Sequence, residues 1–177
     1  FEVGISMVHV HARKKNGVPS STAEDYAPII DGIRAHCPGL VVCASLSGRN
    51  VTDPAARSEV LSLLPDMASL TLSSLNFVRS ASVNSPDTIQ ELAERIYAAG
   101  ASPELEVFDT GMVNYLGYLV RKGLIQPPFY INILLGNIAG AQLTASHIAA
   151  LERDLPEGAL IALAGLGQYP FAAPIVA

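Results

Sequence analysis

The chain has 177 residues, 50% of them hydrophobic, a formal net charge of −5 and a pI near 5.3. That length suits about one domain with a substantial core, and the acidic balance argues against an electrostatic grip on nucleic acid and for a small, non-polymeric substrate. No apolar run reaches the ~18 residues of a membrane span and no basic-then-apolar leader opens the chain, while Cys37 and Cys43 fit neither a disulfide framework nor a paired-cysteine metal motif, so a cytoplasmic protein with reduced thiols is expected.

Taken in chain order, the first apolar run of strand length is "ISMVHVHA" (5–12), followed by a helical stretch at 22–36 with an apolar face at Tyr26, Ile29, Ile30 and Ile33. "LVVCASL" (40–46) reads as the second strand and 52–64 as the next helix. "MASLTLSSL" (67–75) leads to the helix 86–99, with Ser85 as N-cap, Pro86 at the first helical position and Gly100 as the stop. "PELEVF" (103–108), the helix 110–122, "FYINILLG" (129–136), the helix 144–154 and "ALIALAG" (159–165) complete the series.

Strict alternation of strand and helix implies a parallel sheet covered by helices. A doubly wound sheet concentrates its chemistry at a switch point, usually with a glycine fingerprint after the first strand, and here that strand ends in histidines. A (β/α)₈ TIM barrel delivers every strand's C-terminal end to one mouth, which accounts for polar or glycine-rich residues after each run: His11 and Arg13; Ser45, Ser47 and Gly48; Ser73, Ser74 and Asn76; Glu106 and Asp109; Gly136 and Asn137; Gly165 and Gly167. Six units fall about two short of the ~250 residues of a whole barrel. The chain also starts without methionine and stops inside what reads as a new helix. The expectation is a single partial barrel domain over residues 1–177, lacking two strands.

Strand alternation puts His9 and His11 on one face, about 6.6 Å apart at the usual rise, close enough for both rings to converge on one ion. Neutral imidazole suits zinc, copper, iron or nickel; a hydrogen-bonded histidine pair is the plainer alternative. His36 and His147 fall in helical stretches and read as surface residues. Glu104 and Glu106 share a face of the fourth run, and a carboxylate there is costly unless partnered. Glu106 reads as the deeper one, meeting a cation, a metal-bound group or a substrate donor, or else pairing structurally with an arginine such as Arg13; Glu104 reads as a rim residue. Ser45 and Ser47, with Gly48 behind them, and Ser69, Thr71 and Ser73 read as hydroxyl lining for a substrate, since no glycine elbow or activating histidine marks any of them as a nucleophile. "LAGLGQ" (163–168) is a phosphate-loop candidate or a tight turn.

Together, "VHVHAR", "MASLTLSSLNF", "PELEVFDTGM", "FYINILLG" and "ALIALAGLGQ", in this order and spacing, resemble the β-keto acid cleavage enzymes, the 3-keto-5-aminohexanoate cleavage enzyme type. The resemblance covers nearly the whole chain. It implies a (β/α)₈ barrel with one divalent metal, usually Zn²⁺, that converts a β-keto acid and acetyl-CoA into acetoacetate and a new CoA thioester, in a homotetramer. It puts the two histidine ligands on His9 and His11, the buried catalytic glutamate on Glu106, and substrate contacts on Ser45, Gly48 and Ser69. By this register the chain runs from the second to the seventh strand; the absent first strand would carry a further glutamate, and the absent eighth an arginine, the third metal ligand and the catalytic aspartate. "SLSGRN" is poorer in threonine and "KKNG" more basic than the resemblance leads one to expect, which bears on the substrate side chain. The competing readings are another metal-dependent barrel aldolase or lyase that needs no acetyl-CoA, and a degenerate barrel without catalysis.

Overall fold

The structure is a computed structural model that describes residues 2–167 and 169. Strand and helix alternate along it as a partial (β/α)₈ barrel requires. The chain divides into two compact units, one of residues up to Leu70 with Gln90–Pro103, the other of Thr71–Ile89 with the residues from Glu104 onward.

The first unit opens with β1 (Met7–Val10), α1 (Ala23–His36) and β2 (Val41–Ala44), then a short α2 (Pro54–Arg57) and a 3₁₀ turn (Glu59–Leu63), then β3 (Met67–Thr71), which ends on the first residue of the second unit. β1 and β2 pair in parallel with His9 opposite Cys43, and β2 pairs with β3 with Cys43 opposite Met67. By alternation His9, Cys43, Ser45, Ser69 and Thr71 belong to one face, and Val42, Ala44, Ala68 and Leu70 to the other. The second set is buried to 1% exposure or less. α1 starts on Thr22, whose side chain accepts from the Asp25 amide, and buries Tyr26 and Ile30.

The second unit carries a two-stranded antiparallel hairpin, β4 (Leu75–Asn76) and β5 (Ala81–Ser82). Helix α3 (Pro86–Ala98) starts in this unit and continues into the first. Ser85 Oγ accepts from the Thr88 amide at 3.1 Å, as an N-cap does, and Gly100 lies beyond the end at φ +75°. Its buried residues, Ile89, Leu92, Ala93 and Ile96, follow the i, i+3, i+4, i+7 pattern of one helical face. β6 (Ser102–Val107), α4 (Thr110–Arg121), β7 (Tyr130–Leu135), α5 (Ala145–Arg153) and β8 (Leu160–Gly165) follow. β6, β7 and β8 pair in parallel, with Glu104 opposite Tyr130 and Glu106 opposite Asn132. Leu105, Val107, Ile131, Ile133 and Leu135 form the opposite, buried face, and Met112, Val113, Leu116 and Leu119 of α4 are buried too. At the end of β7, Gly136 takes φ +94°, and a Cβ there would lie 2.7 Å from the Leu166 carbonyl oxygen, so no larger residue fits.

Two expected elements are broken. The run 67–75 stops as a strand at Thr71, and Leu75 joins the separate hairpin. The stretch 52–64 is two pieces, because Ser58 Oγ donates to the Pro54 and Ala55 carbonyls and Leu64 takes a left-handed φ of 52°. The expected helix beyond Gly167 lies outside the described residues. No helix among the described residues is long and apolar enough to cross a membrane.

Candidate active site

In the first unit, His9 is half-buried at the end of β1 and His11 is exposed just past it. Their rings stack with centroids 4.8 Å apart at an interplanar angle of 30°. Shared strand parity brings them together, although the strand itself stops at Val10. Cys43, His9's partner in register, is fully buried. His36 and His147 are exposed on α1 and α5, as expected of surface residues.

Ser45 and Ser69 are buried on neighbouring strands, 5% and 3% exposed. Ser69 Oγ accepts the Leu46 amide at 3.0 Å. A hydroxyl that accepts in this way still has a proton to donate, so Ser69 both ties down the turn after β2 and offers a donor. Gly48, two residues beyond Leu46, is buried. The Leu46 carbonyl accepts from Arg57 Nε at 2.8 Å, and the Ser45 carbonyl from the Tyr26 hydroxyl at 3.2 Å. Burial pushes the Tyr26 hydroxyl's pKa above its ordinary 10.0, so it stays a donor.

In the second unit the two carboxylates of β6 exchange their expected places. Glu104, expected at the rim, is 0% exposed and accepts from Asn132 Nδ2 at 2.9 Å. Glu106 is half-buried, and its Oε2 accepts from the Thr71 hydroxyl at 2.5 Å, while its backbone carbonyl accepts the Leu72 amide at 3.3 Å. Arg13, the arginine weighed as its structural partner, is exposed and donates to the Gly17 carbonyl at 2.8 Å. A cavity of about 380 Å³ starts one residue past Thr71, with Leu72 and Met112 among its apolar lining and Ser73, Asn84 and Asp109 among its polar lining.

The chemistry available is thus a neighbouring imidazole pair and a hydroxyl-lined turn in one unit, and in the other a held carboxylate and a cavity lined by other residues. Sequence reasoning missed Arg57 and Asn132, and it placed Tyr26 on the apolar face of its helix without assigning its hydroxyl a partner. A lone arginine in an apolar helical stretch and an asparagine inside "FYINILLG" were the available signals, since a polar group in such a place needs a buried partner.

The family model for beta-keto acid cleavage enzymes matches residues 1–177. The chain belongs to that family. It is 30% identical over 174 residues to a 3-keto-5-aminohexanoate cleavage enzyme of Fusobacterium nucleatum, covering 97% of this chain and 62% of the relative. It is 34% identical over 173 residues to a 3-oxoadipate:acetyl-CoA acetyltransferase of Cupriavidus necator, covering 95% and 60%. The chain therefore spans about three fifths of the length of these curated relatives. Among solved structures, apo ObcA superposes with a TM-score of 0.65 at 21% identity, over 77% of this chain and 33% of that one. That likeness bears on the fold, and it agrees with a partial (β/α)₈ barrel.

Proposed function

We propose that the chain is part of an enzyme that reacts a β-keto acid with acetyl-CoA. The bond between the keto carbon and the carboxymethyl carbon breaks, the carboxymethyl group joins the acetyl carbon to give acetoacetate, and the CoA sulfur takes the remaining acyl group as a new thioester. Membership of the family supports this reading, as do the two relatives named for such cleavage and acetyl transfer.

The observation that carries it is the stacked His9–His11 pair at the end of β1. Two imidazoles on adjacent same-face positions suit a borderline metal such as zinc, and His9 and His11 would be two of its ligands. When bound, the metal supplies Lewis-acid polarisation of the keto oxygen. Ser45, Gly48 and Ser69 act as substrate contacts, giving hydroxyl and backbone donors to oxygen atoms that gain negative charge. Glu106, its carboxylate steadied by Thr71, holds the substrate end or its catalytic partners and is not the principal base. By the resemblance, the intact protein would be a homotetramer, and the reading of its two cysteines as reduced thiols makes it a cytoplasmic one.

Metal analysis and a coupled assay on the intact protein test the reading. We expect about one divalent metal per chain, as befits a single mononuclear site, its loss in His11→Ala, and β-keto acid consumption only when acetyl-CoA is present. Equal metal content in both proteins would refute the ligand assignment. Cleavage that proceeds without acetyl-CoA would instead point to an aldolase or lyase.

A further inference from the structure

The turn after β2 is held by side chains from three elements. The Tyr26 hydroxyl of α1 donates to the Ser45 carbonyl at 3.2 Å, the Leu46 amide donates to Ser69 Oγ of β3 at 3.0 Å, and Arg57 Nε at the end of α2 donates to the Leu46 carbonyl at 2.8 Å. The Ser45 amide donates to the Val10 carbonyl at 3.1 Å and so ties the turn to the end of β1. Tyr26, Leu46 and Arg57 are each 1% exposed. Both backbone polar groups of Leu46 are thereby fixed, one by a neutral hydroxyl and the other by a permanent cation.

A guanidinium buried to 1% exposure gives up its hydration, and a hydrophobic residue of similar volume is often the more stable choice. What a guanidinium offers is a charge that does not titrate and a rigid fork that fixes direction. The helix presenting it is short and anchored at its start by Asp53, whose carboxylate accepts the Ala55 and Ala56 amides. The atom it holds lies between Ser45 and Gly48.

We propose that Arg57 is a positioning residue: it fixes the Leu46–Ser47 peptide so that Ser45 and Gly48 meet the β-keto acid in a set geometry. This rests on the assignment of Ser45 and Gly48 as substrate contacts made above. Arg57 itself is not a catalytic residue, and its influence passes through the backbone of the turn.

The test uses the intact protein with Arg57→Met and Arg57→Ala, read by hydrogen exchange of the peptide carrying residues 45–48 and by steady-state kinetics. In Arg57→Met we expect faster exchange confined to that peptide. The KM for the β-keto acid should rise about tenfold, as loss of a charge-assisted hydrogen bond implies, while kcat changes less than about threefold and the KM for acetyl-CoA stays constant. Guanidinium ion at millimolar concentration should restore the KM of Arg57→Ala without raising its melting temperature. A merely structural arginine would lower kcat through the folded fraction and leave KM alone, which would overturn the proposal. Exchange at 45–48 equal to that of the unsubstituted protein would overturn it too, as would faster exchange with an unchanged KM. Should neither variant fold, Arg57→Lys and Tyr26→Phe, which loosen the same turn more gently, are read by the same criteria. If the unsubstituted protein itself fails to turn over a β-keto acid with acetyl-CoA, the functional reading falls, and the exchange measurement alone decides whether Arg57 holds the turn.

Discussion

Replacing Thr71 by valine removes one hydroxyl and almost no volume, so it tests whether the Glu106 carboxylate needs to be steadied. Thr71 is 7% exposed, and its hydroxyl reaches Glu106 Oε2 at 2.5 Å. A hydrogen bond to a charged acceptor is worth about 1.5–3 kcal/mol, and the partial exposure of Glu106 argues for the lower end. Since ~1.4 kcal/mol is a factor of ten, Thr71→Val should lower kcat/KM about tenfold. The backbone bond from the Leu72 amide to the Glu106 carbonyl does not involve the hydroxyl, so the strand should stay in place. Thr71→Ser should stay within about twofold, because it keeps the donor. The decisive assay is the double-mutant cycle with Glu106→Gln. Once the charge is gone, valine at 71 should cost much less, leaving a coupling of about 1 kcal/mol. Strict additivity would show that Thr71 and Glu106 act independently, and the reasoning would fail. Metal content measured alongside should be unchanged in every variant; loss of metal in Glu106→Gln would move Glu106 into the ligand set.

Asn132→Ala takes a donor from a carboxylate with no solvent exposure, and should lower unfolding free energy by about 1.5–3 kcal/mol, read as a lower urea midpoint at unchanged slope; an unmoved midpoint would show that Glu104 does not depend on that amide. Tyr26→Phe tests the alkaline limb of stability. The native tyrosine pKa is raised by burial, so its contribution is whole below the ordinary value of 10.0 and is lost as pH rises through the raised value. The phenylalanine variant should be less stable by about 1 kcal/mol near neutrality, from the lost hydrogen bond, yet flatter above about pH 9. Equal alkaline slopes in the two proteins would refute the assignment.

The alternation of strand and helix was legible because it is a property of periodicity, and so were the buried face of α3 and its Ser85 cap, which depend on local spacing. Where the reading ran long, the cause is hydrogen bonding that competes with the ladder or the helix. Ser58 bonds back to two carbonyls of its own turn, and Leu75 finds a different partner strand in Ser82. Apolar residues resume after both breaks, at Val60 and Leu61 in one and at Leu75 in the other, so hydrophobic spacing alone carried the expected elements across them. The imidazole pair was legible for the same reason as the strands, two residues on one face. The set of side chains around Leu46 was not, because its members come from three elements that only the fold brings together.

The two glutamates of β6 show how depth differs from pattern. Both share a face, and flanking apolar residues made Glu106 read as the deeper. In parallel strands, however, position along the chain is position along the strand axis, and chemistry gathers at the C-terminal ends. Glu104, two residues earlier, is about 6.6 Å further from that end and is the carboxylate with no exposure at all. It can remain there because Asn132, opposite Glu106 in register, sends its amide back along the strand to Glu104. Asn132 thus satisfies the buried carboxylate of its diagonal neighbour, and Glu106 is the one left with solvent access. A carboxylate meant for a ligand must be reachable, and one meant for the core must be paired; on this strand, two residues of rise separate the two conditions.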